Sequence, residues 1–134
     1  MNKKILFVGI STLFFFGSCL TPALAQSSTI EAITDYRSQI QVNADNSVDV
    51  VETITYDTGL TPHHGIYRDI RTTSSQGKEM KISNVRVQDE LGHSYRYELN
   101  NSPNNVRIKI GDPTVTFVGT KTYIVHYQAT RAIG

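Results

Sequence analysis

From Ala32 onward the chain is a succession of short β-branched and aromatic runs, each closed by a cluster of Asn, Asp, Gly, Pro or Ser. No window of about a dozen residues keeps a clean helical period of about 3.6. Period-two alternation puts apolar side chains on one face of a strand and cannot build the stripe of a helix, so the text points to an all-β fold. Tyr36, Ser38, Ile40 and Val42 alternate with Arg37, Gln39 and Gln41, and Asn43-Ala44-Asp45-Asn46 supplies turn residues that tolerate left-handed backbone. Val48, Val50, Glu52, Ile54 and Tyr56 share a face of the next strand, so the two runs read as a hairpin.

Beyond Thr58-Gly59-Leu60-Thr61-Pro62 and His63-His64-Gly65, a strand from Ile66 to Thr72 places Ile66, Arg68 and Ile70 on one face. Tyr67, Asp69 and Arg71 fall on the other. A loop at Ser74 to Lys78 precedes a strand from Met80 to Gln88 in which Ile82 opposes the face of Val85 and Val87. Tyr95 and Tyr97 form a short strand before an Asn100 to Asn105 loop, Val106, Ile108 and Ile110 alternate, and Gly111-Asp112-Pro113 breaks the ladder. Val115 and Phe117 read as a further short strand, and Tyr123, Val125, Tyr127 and Ala129 line one face of the last. The expected architecture is an antiparallel β-sandwich of about seven or eight short strands, preceded by a signal-peptide helix.

That N-terminal segment carries Lys3 and Lys4, an apolar stretch from Ile5 to Phe16, and Ala23-Leu24-Ala25 at its end, the layout of a secretory signal. The stretch falls short of the roughly 20 residues of a spanning helix. Cleavage after Ala25 divides the chain into a signal peptide at 1–25, a linker at 26–32 and an exported domain at 33–134. The competing reading is lipidation at Cys19, since Phe16-Gly17-Ser18-Cys19 loosely resembles a lipobox, although Phe16 stands where an aliphatic residue is usual.

Composition then applies to the exported part. The whole chain has 13 basic and 12 acidic residues, and loss of Lys3 and Lys4 leaves 11 against 12. With no basic stripe, a nucleic-acid partner is not expected. The only cysteine and four of the five phenylalanines leave with the signal, so the core must hold without disulfides and tyrosine supplies most of its aromatic surface. Tyr95, Tyr97, Tyr123 and Tyr127 fit inward or cross-strand packing with hydroxyls at the rim, or alternatively a ligand face. The last strand stops at Ile133-Gly134, from which a longer parent protein is expected.

The densest polar constellation is His63-His64-Gly65-Ile66-Tyr67-Arg68-Asp69 with Asp57 upstream. Adjacent histidines on a loop diverge, and no helical His-Glu-x-x-His is present, so no metal site is expected. Gly65 reads as a tight bend. Glu52 and Arg68 each sit among apolar positions, where an unpaired charge costs several kcal/mol, and they are therefore expected to form an ion pair, with Asp69 or Tyr67 contributing hydrogen bonds. No nucleophile elbow, cysteine nucleophile or phosphate loop is present in the exported part, and Asp89-Glu90 reads as solvated turn.

Four stretches resemble the extracytoplasmic N-terminal domain, of unknown function, of the YciQ-like bacterial predicted membrane proteins. They are Tyr36 to Glu52, His64 to Ile70, Ile108 to Pro113, and Gly119 to Tyr127. The resemblance implies a signal peptide, an outside β-sandwich and then transmembrane helices, which this chain lacks after Gln26. It implies no reaction and no cofactor. The expected function is a noncatalytic extracytoplasmic domain of an envelope protein, membrane-anchored in a longer parent, that contacts an envelope protein or cell-wall component through His64, Gly65, Tyr67, Arg68 and Asp69. The alternatives are a secreted or lipid-anchored carbohydrate-binding module, which needs an exposed aromatic platform, and a metal-dependent envelope enzyme, which needs His63 or His64 to converge with Asp57 and Asp69.

Overall fold

The computed structural model describes residues 30–73 and 77–132. The signal segment with its cleavage after Ala25, Cys19, most of the 26–32 linker, Ser74 to Gln76 and the terminal Ile133-Gly134 lie outside the described residues.

Among the described residues seven strands form two antiparallel sheets: β1 (Ala32–Val42), β2 (Val48–Asp57), β3 (Gly65–Arg71), β4 (Lys81–Gln88), β5 (Tyr97–Ser102), β6 (Asn105–Gly111) and β7 (Thr120–Thr130). One sheet has four strands in the order β1-β2-β7-β4, and the other has three in the order β3-β6-β5. They enclose a single core in a β-sandwich. β2 and β7, central in the larger sheet, pair in unbroken register from Val48 opposite Ala129 to Asp57 opposite Thr120. Val48, Val50, Ile54 and Tyr56 of β2 and Tyr123, Val125, Tyr127 and Ala129 of β7 are buried against Ile70 of β3 and Ile108 and Ile110 of β6. Alternation puts these side chains on the inner faces, and the removal of their apolar area from water drives the sheets together.

The β1–β2 hairpin closes where the Asn and Asp cluster foretells. Asn46 takes φ 62°, and the Asp45 carboxylate accepts from the Ser47 amide and hydroxyl. Three local expectations fail. Ile82 does not oppose Val85 and Val87: a β-bulge between Ser83 and Arg86, with Asn84 at φ 54°, inserts a residue so that all three pack on the core. Asn100 to Ser102 is not loop but the end of β5, paired with β6 through a two-residue turn at Pro103-Asn104; the ladder overrides the weak strand propensity of asparagine. Val115 and Phe117 form no strand, only a single bridge between Phe117 and His63.

The two sheets differ in width. β3 lies over β2, where Arg68 reaches Glu52, and β5 lies over β4, where the Tyr97 hydroxyl donates to the Val85 carbonyl at 2.7 Å. No strand of the smaller sheet lies over β1. Tyr36, Ile40 and Val42 stand opposite Ile54, Val50 and Val48 and so point to the core side, yet they remain 48%, 65% and 61% exposed.

Candidate functional site

The open side of the sandwich, between β1 and the outer edge of β3, is a groove of about 970 Å³. Ile33 and Tyr36 line it from β1, Ile54 and Tyr56 from β2, and His63, Ile66 and Arg68 from the segment around β3. The chain enters this region by a crossing from the larger sheet to the smaller one. Gly59 adopts φ 61° and donates to Asp57 Oδ1, while Thr58 and Gly119 exchange bonds: the Thr58 amide donates to the Gly119 carbonyl, and the Gly119 amide to Thr58 Oγ1. His63 then bridges Phe117 through two backbone bonds of 3.0 and 2.9 Å. At the start of β3, Gly65 faces Gly111 so closely that a Cβ on Gly65 would lie 1.8 Å from the Ile110 carbonyl oxygen. Gly65 therefore permits a close approach of two backbones rather than only a bend.

At the floor of the groove Arg68 and Glu52 form a bidentate pair. Arg68 Nε donates to Glu52 Oε2 and Nη2 to Oε1, both at 2.6 Å. Glu52 is 2% exposed, and its Oε1 also accepts from the Tyr127 hydroxyl at 3.0 Å. Arg68 Nη1 donates to the Asp69 carbonyl, and Nη2 lies 3.5 Å from the Tyr36 hydroxyl. Burial by itself would raise the Glu52 carboxyl; the hydrogen bonds and positive charge of Arg68, with hydrogen bonds from Tyr36 and Tyr127, outweigh it and hold the group below its ordinary 4.5. The hydrogen bond to Glu52 pushes Arg68 further up, against burial. Burial first, then the Glu52 charge, raises Tyr127.

The remaining residues of the motif disperse. Asp69 reaches Arg68 only through its carbonyl. Its carboxylate lies on the outer face of the smaller sheet, where hydrogen bonds from Arg107 and then Asn105 lower its pKa to about 2. Tyr67 contributes nothing to the pair; 64% exposed, it carries the Arg107 guanidinium 5.2 Å from its ring centroid. His64 Nδ1 lies 3.0 Å from the Val115 carbonyl, whereas His63 packs edge-on to Tyr56, with Nε2 3.5 Å from Glu31. Among the described residues no three His, Cys, Asp or Glu side chains are grouped to hold a metal ion.

Tyr36 and Tyr127 are the members of this network that the sequence reading assigned elsewhere. Tyr127 sits two residues beyond Val125, the direct cross-strand partner of Glu52, so its inward register carried the signal. Its hydroxyl ends on a buried carboxylate instead of at a rim. Tyr56 is also engaged, donating to Glu31 Oε1 at 2.7 Å, and its pKa rises to about 12 through burial and that bond.

Two expected results follow from this network. Tyr127→Phe removes one donor from a buried carboxylate and is expected to cost about 1.5–3 kcal/mol by urea denaturation. The second concerns acid. Glu52 has a folded pKa below its unfolded value, so its stabilisation is complete above about pH 4.5 and is lost as the pH falls through the folded value. His126 also loses stability on acidification, starting nearer pH 6.5, because burial and then Arg86 lower its pKa. Comparing urea midpoints of wild type and Glu52→Gln from pH 7 to 3 isolates the Glu52 part: the gap between them is expected to narrow below about pH 4.5. A constant gap contradicts the assignment.

Residues 32–134 match the family model described as the N-terminal domain of a predicted membrane protein, DUF2207. No curated protein and no solved structure matches the chain. Among the described residues no helix is long and apolar enough to cross a membrane.

Proposed function

The chain belongs to the DUF2207 family of predicted membrane proteins through their N-terminal domain, and from that premise we propose that it is a noncatalytic, extracytoplasmic contact domain. In this reading the signal segment exports the β-sandwich, the longer parent holds it at the membrane, and the domain binds an envelope protein or cell-wall component through the open side between β1 and β3. The observation that carries the reading is the uncovered inner face of β1. Tyr36, Ile40 and Val42 are set in core register and left at the surface, and apolar side chains so placed on a sheet edge mark an association site. The bidentate pairing of Arg68 and Glu52 supports it further, since it leaves the floor of the groove without an uncompensated charge. That chemistry suits a binding surface better than a reacting one.

The test is a pull-down from solubilised envelope membranes and from purified cell wall, with the full chain as bait. Wild type is expected to retain a component that Ile40→Lys does not. Equal retention by both variants, or by neither, contradicts the reading.

A further inference from the structure

We propose that the open side of the sandwich is filled by a second copy of this chain, whose β1 takes the vacant position beside β3. The inference rests on the contact role just given and names the partner.

Both strands that border the groove are edge strands whose outer backbone pairs with no strand of the same copy, although the Asp69 carbonyl on that edge already accepts from Arg68 Nη1. The Thr72 amide donates to the Asn104 carbonyl, and Ile66, Arg68 and Ile70 are in phase with it along β3. Antiparallel alternation therefore turns the backbone groups of Tyr67, Asp69 and Arg71 away from β6. On β1 the Asn43 amide donates to the Ser47 carbonyl, so Arg37, Gln39 and Gln41 bond β2 and the backbone groups of Ser38, Ile40 and Val42 face outward. A strand added to β1 alone would extend the larger sheet and leave the apolar inner face uncovered. A strand beside β3 covers that face.

A second copy meets both needs at once. The larger sheet projects beyond the smaller one by a strand, roughly 4.8 Å. A two-fold axis parallel to the strands sets the projecting β1 of each copy one strand spacing from β3 of the other. The result is two continuous seven-stranded sheets, with the inner faces of the two β1 strands packed on each other across the axis. Tyr36, Ile40 and Val42 of both copies are then buried.

The charges agree with this geometry. Glu31 lies level with His63, and Tyr36 with Arg68, so β1 and β3 run in the same direction. A two-fold along the strands preserves those levels, which makes the new ladder parallel and brings Arg37 alongside Asp69 of the second copy. Opposite charges meet, and Asp35 falls beside an uncharged tyrosine. A register slipped by two residues in one direction would oppose Asp35 to Asp69 and Arg37 to Arg71; slipped in the other, to the level at which Arg68 stands opposite Glu52 and its partner Ser38, it sets Arg37 beside Tyr67 and opposes no like charges.

Sedimentation velocity of the purified full chain, at concentrations up to about 100 µM, is expected to show a dimer. Ile40→Lys puts a charge into the two-fold contact, and Tyr67→Pro removes an outward amide donor from β3; each is expected to give monomer with an unchanged far-ultraviolet circular dichroism spectrum. Because Ile40 is 65% exposed in one copy, its substitution tests association apart from folding. A wild-type monomer throughout that range, or a dimer that survives Ile40→Lys, overturns the proposal. If the wild type is monomeric yet still retains an envelope component in the pull-down, self-association falls and the contact role stands; a dimer that retains no envelope component leaves self-association as the contact.

Discussion

Arg68→Ala is expected to lower the free energy of unfolding by about 3–5 kcal/mol, measured by urea denaturation at pH 7. Most of that loss comes from what remains. Glu52 is 2% exposed and would keep only the Tyr127 and Tyr36 hydroxyls as compensation for a full charge. The carboxylate then ceases to be held down, and burial drives its pKa up. Arg68→Lys retains the charge but not the two parallel bonds of 2.6 Å each, and falls between wild type and alanine because an ammonium cannot reproduce the fork. The double variant Glu52→Leu with Arg68→Met removes both charges, and its loss is expected to be smaller than that of Arg68→Ala alone. Additive losses would show that the two side chains do not act as a pair.

Gly65→Ala and Gly111→Ala are each expected to cost about 3 kcal/mol or more, enough to deplete the folded state of a marginal domain. The two glycines face each other where β3 meets β6. An added Cβ would lie 1.8 Å from the Ile110 carbonyl oxygen in the first case and 2.1 Å from the His64 carbonyl oxygen in the second. The obstruction is backbone, which cannot swing aside as a side chain would. Both residues also hold positive φ, at 156° and 129°, so the conformational and steric penalties fall together. Gly92 is the control: it too has positive φ, at 85°, but a Cβ there meets nothing within 4 Å. Gly92→Ala is expected to cost about 1 kcal/mol. Equal melting temperatures for the Gly65 and Gly92 variants would contradict the close-approach account.

These two predictions mark how far the sequence speaks. The central strands were legible because Val48, Val50, Ile54 and Tyr56, and then Tyr123, Val125, Tyr127 and Ala129, keep one face apolar but for Glu52, and period two has one structural meaning. Glu52 and Arg68 were legible for the same reason: each breaks an apolar alternation, and a charge inside a core requires a partner. The bulge at Asn84 was not legible, since a single inserted residue inverts the facing of everything before it and leaves no mark but an asparagine that tolerates positive φ. The Gly65–Gly111 contact joins two motifs more than forty residues apart. Each was visible as a breaker, but their juxtaposition depends on the register of β3 with β6. The exposed face of β1 was hidden most completely. Its alternation is that of a covered strand, and only the unequal width of the two sheets shows that no strand among the described residues of the same copy covers it.

That uncovered face is where the account can be tested most directly. A photo-crosslinking benzophenone residue is placed at Ile40, on the core-side face of β1, and separately at Thr53, on the opposite face of the same sheet, in cells expressing the full chain. The account predicts a discrete adduct from position 40 and none from position 53. Adducts from position 53 alone, or from neither position, would contradict a contact role for the open side of the sandwich.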